Sequence, residues 1–342
     1  MLAKERAVAL EAVQKAMRVC RQVYCHLRAD DTEYKSDASP VTVADYAVQA
    51  VVNTVLAEAF PDVRIVGEED ARGLRDTQQP QVAHLRERIT TLANSVLEST
   101  QTTEQLLAAI DRGRYEGGAR GQHWTLDPID GTKGFVRGGQ YAVCLALIED
   151  GQVQLGVLGC PNLPSMGSGS PEDGMGERGV LFVAVRGHGA YQRAWKSTSE
   201  HPIKLAASSH TSDMADFTDA RLCESWEAAH SDHGTAARIR ASLGIKARPV
   251  RLDSQCKYGV VARGEADIYL RLPTRADYVE KIWDHAAGSL LVEEAGARIT
   301  DADGRPLQFG HGRYLSMNRG IVVAHRDRHA AVLEAVQAQM HG

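Results

Sequence analysis

The stretch YAVCLALIEDGQVQLGVLGCP, residues 141–161, decides the fold of the first half of the chain. Two apolar runs flank the dipeptide Asp150-Gly151, and Asp-Gly between two such runs is typical of a two-residue β-hairpin turn. Another strand pattern, GVLFVAVRGHGAYQ, follows at residues 179–192 with no helical pattern in between. Successive strands without intervening helices predict an antiparallel sheet.

Upstream of this hairpin, apolar residues recur with the spacing of amphipathic helices. The periodicity predicts helices over residues 3–28 and about 43–60, followed by a short strand in DVRIVGEED, residues 62–70. Residues 80–112 are also helical in pattern and lack the strand-like runs on either side. We therefore interpret them as one or two helices inserted before the next strand, HWTLDP at residues 123–128.

From about residue 205, short apolar runs alternate with helical stretches. The runs PVRLD, ADIYLRL and GIVVAHR predict strands, and helices are predicted at 218–243, 254–263, 284–295 and 326–340. Such alternation is typical of an α/β arrangement, and a chain of 342 residues suits two domains or one large layered body. We predict an N-terminal antiparallel-sheet α+β domain over residues 1–205 and a smaller C-terminal α/β domain over residues 206–342.

The composition argues against nucleic-acid and membrane surfaces. Hydrophobic residues make up 43% of the chain and charged residues 24%, with a net charge of −5, whereas nucleic-acid-binding surfaces are usually basic. No window approaches the roughly 18 consecutive apolar residues of a membrane span. The six cysteines are scattered without a CxxC pair, which is typical of reduced core residues. We therefore predict a cytoplasmic protein, with an organellar form after removal of a transit peptide as the alternative.

The segment WTLDPIDGTKGF, residues 124–135, precedes the hairpin and carries two carboxylates. Asp127 and Asp130 lie three positions apart around Pro128, so they can converge on one point across a turn. With the carbonyl of Ile129, they offer the hard oxygen ligands that Mg²⁺ prefers.

The next two residues, Gly131 and Thr132, could supply N–H groups and a hydroxyl for an anion beside such a metal. An ordinary polar β-turn explains Asp-Pro and Asp-Gly as well. The segment alone leaves a turn and a metal site equally open.

Three further acidic elements lie at boundaries between a strand or turn and the next element, where functional groups tend to be displayed. Glu68 follows a strand in the acidic run GEED, which a solvated loop would also explain. Asp45 begins a helix, where an acid favourably meets the helix dipole. Asp284 precedes the helical pattern HAAGSLLVEEAG, so its alternative role is an N-cap. Together these acids are about as many as two or three Mg²⁺ ions need.

Three segments in this order, VGEED, WTLDPIDGTKGF and KIWDHAAG, resemble the lithium-sensitive, magnesium-dependent phosphomonoesterase superfamily that includes inositol monophosphatase. Within it, the chain is more similar to the 3'(2'),5'-bisphosphate nucleotidases. DPIDGTKGFVRGGQYAVCLALIEDGQVQLGVLGCPNLP looks like their long signature, LDSQCKYGVVARGEADIYLRLP looks like their nucleotide-side segment, and the insertion at 80–112 is present in that branch. The resemblance implies a layered αβαβα sandwich whose C-terminal part completes the metal and nucleotide site.

The resemblance also implies two to three Mg²⁺ ions. Glu68, Asp127 and the carbonyl of Ile129 would hold the first ion. Asp127, Asp130 and Asp284 would hold the second, and a third, looser ion would lie near Glu68 and water.

The catalytic and substrate roles likewise follow from the resemblance. Asp45 and Thr132 would form a dyad that orients and deprotonates the attacking water, and the backbone of Gly131 and Thr132 would hold the scissile phosphate. The residues that would contact the nucleotide and its second phosphate are His210, Ser254, Lys257 and Arg271. Asp284 would bind the substrate as well as metal.

The implied activity is hydrolysis of the 3'-phosphate of adenosine 3',5'-bisphosphate to AMP and phosphate, with 3'-phosphoadenylyl sulfate as a further substrate and Li⁺ as an inhibitor. An inositol polyphosphate 1-phosphatase or inositol monophosphatase is the alternative within the class. A catalytically silent nucleotide- or metal-binding regulator is the alternative outside it. We predict a small-molecule substrate and no obligatory protein partner. The G-x-G-x-x-G at residues 174–179 leads into a strand rather than a helix, which argues against a dinucleotide site.

Overall fold

The computed structural model describes residues 2–25, 32–34, 40–76, 78–165, 177–205, 216–227, 231–275 and 277–340. Both helices and strands occur along this part of the chain. The helices are α1 (Ala3–Cys25), α2 (Val43–Ala59), α3 (Pro80–Asn94), α4 (Thr103–Asp111), α5 (Thr132–Arg137), α6 (His233–Ser242), α7 (Cys256–Ala262), α8 (Ala286–Ala295) and α9 (His329–Met340). The strands are β1 (Thr32–Tyr34), β2 (Pro40–Thr42), β3 (Ile65–Gly67), β4 (Gln122–Asp130), β5 (Ala142–Glu149), β6 (Gln152–Pro164), β7 (Arg178–Val185), β8 (Ala190–Ala194), β9 (His201–Ile203), β10 (Leu222–Ser225), β11 (Val250–Leu252), β12 (Ile268–Arg271), β13 (Ala297–Thr300) and β14 (Ile321–His325).

The predicted hairpin is confirmed in β5 and β6. Asp150 and Gly151 both have left-handed backbone angles, with φ of 48° and 75°. Positive φ at both central residues defines a type I′ turn, whose twist matches that of the flanking strands. The hairpin lies at the centre of a seven-stranded sheet in the order β3-β4-β5-β6-β7-β8-β9. Its strands pair antiparallel except for β3 and β4, which run parallel.

The second sheet has five strands in the order β11-β10-β12-β14-β13. Strand β10 pairs in parallel with β11 and β12, and the remaining pairs are antiparallel. Because parallel neighbours need a crossover, helices α6 and α7 connect these strands. The mixed sheet with its crossover helices confirms the predicted α/β character of this half.

The helices form three layers around the two sheets. Helices α1 and α2 bury their apolar residues on the outer face of the seven-stranded sheet. Helices α7 and α8 lie between the two sheets, where the core contains residues from both. Helices α6 and α9 cover the outer face of the five-stranded sheet. This layering confirms the αβαβα sandwich.

The insertion at residues 80–112 forms two helices, α3 and α4, which pack against α2. Helix α4 begins with a capping box, in which the Thr102 hydroxyl accepts from the Gln105 N–H at 3.3 Å. In return, the Gln105 side chain accepts from the Thr102 N–H at 2.7 Å. The capping box satisfies two N–H groups that would otherwise lack partners at the start of the helix.

The helix predicted over residues 218–243 is wrong in its first part. Residues Leu222–Ser225 are strand β10, and helix α6 begins only at His233. All four strand residues are buried between neighbouring strands and helices, and a strand buried on both faces lacks the alternating pattern that would reveal it. Helix α1 is described as far as Cys25, so the end predicted at residue 28 lies outside the described residues.

The cysteine prediction is confirmed for the five cysteines whose side chains are described. Each has a buried, free thiol: Cys20, Cys144, Cys160, Cys223 and Cys256. In the described ranges, none of the helices is long and apolar enough to cross a membrane.

Candidate active site

The acidic segment after HWTL lies in a bulged strand. The sequence indicated a turn around Pro128, but strand β4 continues through Pro128 to Asp130. Asp127 pairs with Cys144 and Asp130 with Ala142, so the two residues between the aspartates face only one residue of β5. A bulge of this kind accommodates a proline, which has no N–H to donate to the ladder.

The bulge is followed immediately by a sharp turn into helix α5. Gly131 has a left-handed φ of 84° and is the N-cap residue of that helix. A Cβ atom at this position would lie 3.0 Å from the Cβ of Ser254, so glycine permits the close approach of the two segments. The Thr132 hydroxyl donates to the carbonyl oxygen of Ile129 at 3.1 Å.

Three carboxylates from two distant segments converge at this point. Asp127, Asp130 and Asp284 each offer one oxygen atom, and these atoms lie within 4.8 Å of one another. Asp127 is buried, with 2% of its surface exposed, and its Oδ1 accepts no hydrogen bond from any described residue. Together with Glu68, these residues line one side of a cleft between the two large sheets, and we call them the acidic wall.

The acidic wall is electrostatically unfavourable when its carboxylates are all ionised. Burial, followed by the charges of Glu68, Asp130, Asp284 and Asp45, raises the pKa of Asp127 well above its ordinary value. Burial also raises the pKa of Asp130 to about 6, although the charge of a nearby lysine opposes this shift. Burial and the charge of Asp130 raise the pKa of Asp284 to about 6. Bound cations would relieve this repulsion, so the residues fit a metal site.

A second group of converging ligand atoms, Glu280, Asp284 and His285, is less suited to a cation. The Glu280 carboxylate already accepts from Arg271 Nε at 2.7 Å and contacts His285 Nε2 at 3.1 Å. Burial alone would raise the pKa of Glu280, but the charge of Arg271 and the hydrogen bond from His285 lower it to about 2. This carboxylate is therefore neutralised by a protein cation.

The buried side-chain amide of Gln49 holds the backbone next to Glu68. Gln49 of α2 donates to the carbonyl of Glu69 at 2.6 Å and accepts from the Glu69 N–H at 3.0 Å. A Cβ atom on Gly67 would lie 2.8 Å from Gln49 Oε1, so glycine is needed where the amide approaches the strand. Arg313 donates to the carbonyl of Gly67. The residues before and after Glu68 are therefore both held by buried or partly buried side chains.

Lys257 and Arg271 form what we call the basic wall of the cleft. Lys257 is buried, with 2% of its surface exposed, and its Nζ donates to the carbonyls of Ser254 at 2.7 Å and Leu252 at 3.3 Å. Burial lowers the pKa of Lys257, and the charge of Asp130 opposes that effect. Ser254 has a left-handed φ of 66°, which is strained for a residue with a side chain and recurs at functional sites.

Most of the predicted site residues line one cleft between the two large sheets. The predicted residues that line the cleft are Glu68, Asp127, Ile129, Asp130, Gly131, Thr132, Ser254, Lys257, Arg271 and Asp284. Asp45 lies buried in the first turn of α2, close enough to Asp127 for its charge to raise the pKa of that residue. His210 lies outside the described residues.

The N-cap alternative for Asp284 is wrong. Asp284 ends a short 3-10 helix, Ile282–Asp284, and His285 occupies the N-cap position of α8. The carboxylate of Asp284 is therefore part of the acidic wall and does not cap a helix.

Three residues important to the site were missed in the sequence. The Gln255 N–H donates to Asp130 Oδ2, its side-chain amide donates to the carbonyl of Trp283 at 2.7 Å, and its Oε1 accepts from the Gly288 N–H at 2.8 Å. Glu280 binds Arg271, and Asp253 lines the cleft. Asp253 and Gln255 lie inside a segment that carries the family resemblance, and Glu280 directly precedes another.

The sequence profile of the inositol monophosphatase family matches residues 1–341, and the chain belongs to this family. Among its relatives, the 3'(2'),5'-bisphosphate nucleotidase of Schizosaccharomyces pombe is 43% identical, over 98% of this chain and 95% of that protein. The 3'(2'),5'-bisphosphate nucleotidase 1 of Arabidopsis thaliana is 46% identical, over 98% and 96%. The fold is similar to that of the Thermotoga maritima IMPase, with a TM-score of 0.63, 18% identity and 98% of each chain covered.

Proposed function

We propose that this protein is a Mg²⁺-dependent 3'(2'),5'-bisphosphate nucleotidase. It hydrolyses the 3'-phosphate of adenosine 3',5'-bisphosphate to AMP and phosphate, and 3'-phosphoadenylyl sulfate is a further substrate. The observation that carries the proposal is one cleft with an acidic wall for cations on one side and a basic wall for a second anion on the other. The names of the relatives, at 43% and 46% identity, point to the same substrate class.

The acidic wall would hold two to three Mg²⁺ ions. Glu68, Asp127 and the carbonyl of Ile129 are the ligands that we assign to one ion, and Asp127, Asp130 and Asp284 are those of a second. The orphaned Oδ1 of Asp127 supports this assignment, because a buried carboxylate oxygen without a donor needs a cation nearby. When bound, the ions supply positive charge for the phosphate oxygens and make water more acidic.

The groups that position the phosphate and move the proton belong to the turn after β4 and to α2. The N–H groups of Gly131 and Thr132 would bind the scissile phosphate beside the acidic wall. The Thr132 hydroxyl would take a proton from the attacking water and pass its own to Asp45, because a hydroxyl alone is a weak base. For that transfer it must turn away from the Ile129 carbonyl, to which it now donates.

The basic wall would bind the part of the substrate that does not react. Lys257 supplies a buried charge, and Arg271 offers a planar fork that matches a phosphate. Ser254 and His210 would complete the contacts to the nucleotide. A monophosphate substrate would lack the second phosphate that Lys257 and the terminal nitrogens of Arg271 would bind, which disfavours it.

Phosphate release from adenosine 3',5'-bisphosphate, inositol 1,4-bisphosphate and inositol 1-phosphate, assayed side by side, tests the proposal. We expect the highest kcat/KM on the nucleotide and no release when a chelator removes the divalent ions. An equal or higher kcat/KM on an inositol phosphate would mean that the preferred substrate is an inositol phosphate, although the enzyme class would stay the same. No release from any of the three would support the catalytically silent alternative.

A further inference from the structure

Four side chains form a continuous buried chain of hydrogen bonds behind the cleft. Arg271 Nε donates to Glu280 Oε1 at 2.7 Å, and the other carboxylate oxygen lies 3.1 Å from His285 Nε2. His285 Nδ1 lies 2.7 Å from the Tyr258 hydroxyl. Glu280 has 5% of its surface exposed, and His285 and Tyr258 each have 1%.

We propose that Glu280, fixed by His285 and Tyr258, is a positioning residue that sets the orientation of the Arg271 guanidinium toward the second phosphate of the substrate. The inference rests on the proposed function, because it takes Arg271 as the ligand of that phosphate. It makes Glu280 a determinant of the preference for bisphosphates over monophosphates.

The contact geometry at Arg271 supports this role. Glu280 engages Nε, which leaves the two terminal nitrogens of Arg271, a residue that lines the cleft, for an anion. A guanidinium is planar, and a hydrogen bond to Nε therefore fixes the plane in which the fork lies. The Tyr278 hydroxyl, 3.4 Å from Nη2, borders the same group at the rim of the cleft.

The order of donors along the chain follows from its chemistry. A carboxylate can only accept, so Nε2 of His285 carries the proton that it donates to Glu280. In the neutral tautomer, Nδ1 then accepts from the Tyr258 hydroxyl. Each group is thereby oriented by the next, as the ligands of a metal are oriented by the groups behind them.

The far end of the chain is held by packing. A Cβ atom on Gly288 would lie 2.2 Å from the Tyr258 ring, so the ring rests directly on the backbone of α8. The ring also packs edge-on against Tyr269, with centroids 5.0 Å apart. Because the ring has no room to move, the Tyr258 hydroxyl stays in place. It thereby orients the His285 ring, which in turn orients the Glu280 carboxylate.

The test compares kcat/KM on adenosine 3',5'-bisphosphate with kcat/KM on adenosine 3'-monophosphate, which lacks the second phosphate. Glu280→Gln keeps the shape of the side chain and removes its charge, and we expect the bisphosphate-to-monophosphate ratio to fall roughly tenfold, mainly through KM for the bisphosphate. Tyr258→Phe should lower the same ratio by about two- to fivefold, because it loosens the chain one step further away. Both variants are checked for folding by thermal unfolding.

Glu265→Gln is the matched control. It removes a carboxylate 2.6 Å from a buried arginine, Arg263, that does not line the cleft, so the ratio should match the wild type. If Glu280→Gln fails to fold, Tyr258→Phe alone decides the question. An unchanged ratio in the folded variants would overturn the inference and leave the proposed function standing.

A wild type that prefers inositol phosphates would contradict the proposed function instead. The same ratio is then measured with inositol 1,4-bisphosphate and inositol 1-phosphate, and a fall in Glu280→Gln would still support the positioning role. A wild type that does not distinguish bisphosphates from monophosphates in either pair would overturn the inference, because Arg271 would then bind no second phosphate.

Discussion

The two walls of the cleft differ in how their charges are satisfied by the protein itself. On the basic wall, Lys257 donates to two backbone carbonyls and Arg271 binds Glu280. On the acidic wall, Asp127 Oδ1 accepts no hydrogen bond from the described residues, and the pKa values of Asp130 and Asp284 are raised to about 6. It follows that the basic wall is organised before any ligand arrives, whereas the acidic wall is complete only when cations are bound.

The most severe test of this contrast is Asp127→Asn, which removes a carboxylate shared by both assigned ions. The loss of several kcal/mol of metal-derived stabilisation, at about 1.4 kcal/mol per tenfold, predicts a fall in phosphate release of roughly 10³-fold or more. Asp267→Asn is the control, because that carboxylate faces Arg221 and does not line the cleft. Retention of wild-type release by Asp127→Asn would show that the acidic wall does not hold the catalytic ions.

The stability of the protein should respond to pH and Mg²⁺ through the acidic wall. In the folded protein, the pKa values of Asp130 and Asp284 are raised from 3.8 to about 6. The free energy of unfolding that these two groups contribute is therefore fully present below about pH 4, and it is lost as the pH rises through about 6. Without metal, the free energy of unfolding contributed by these groups should therefore decrease mainly between about pH 4 and pH 6 and stay low at pH 7.

Mg²⁺ should reverse this loss, because it binds the ionised carboxylates. A concentration 100 times the dissociation constant adds about 2.7 kcal/mol to the free energy of unfolding. Thermal unfolding in chelator and in Mg²⁺ across this pH range provides the measurement. Identical melting temperatures with and without Mg²⁺ near pH 7 would contradict the contrast between the walls.

The basic wall is tested by Arg271→Lys, which keeps the charge and removes the planar fork. Loss of a bidentate contact should raise KM for the bisphosphate by roughly ten- to a hundredfold, with a smaller effect on kcat. Arg251→Lys serves as control, since Arg251 is an exposed strand residue paired with Glu224 outside the cleft lining. A variant with unchanged KM and a lower kcat would place Arg271 in the chemical step instead.

The smallest effect is expected at Lys133, which lies in the acidic segment itself. Its side chain is exposed at the mouth of the cleft, whereas Lys257 is buried in the basic wall. An exposed cation contributes little in water, so Lys133→Ala should change kcat/KM by no more than about threefold. A larger loss would mean that the local lysine, rather than the basic wall, provides the main positive charge for the substrate.

Local patterns in the sequence predicted most of the fold. The type I′ hairpin, helix α2 and the two inserted helices follow from turn residues and helical spacing. Strand β10 was mistaken for helix because its burial depends on neighbours that come later in the chain. The bulge at Pro128 depends on the pairing with β5 and so could not be derived from β4 alone.

The acids of the candidate site were predictable as a set, but the groups that hold them were not. Asp127 and Asp130 lie in a recognisable segment, whereas the partner of Asp130, Gln255, is 125 positions away. Glu280 belongs to no motif in the sequence, and its proposed role depends on the contact with Arg271. The division near residue 205, the cytoplasmic location, the roles of His210 and the dyad, and the absence of an obligatory partner stay predictions.

The contacts of Gln255 have a mechanical consequence for the spacing of the two walls. Gln255 precedes Lys257 of the basic wall by two residues, and it is hydrogen-bonded to Asp130 and to the backbone on either side of Asp284, both in the acidic wall. Moving Gln255 away from the acidic wall would break all three of these hydrogen bonds at once, and a buried amide would lose its partners. The distance between the acidic wall and the Lys257 end of the basic wall is therefore held by the protein itself.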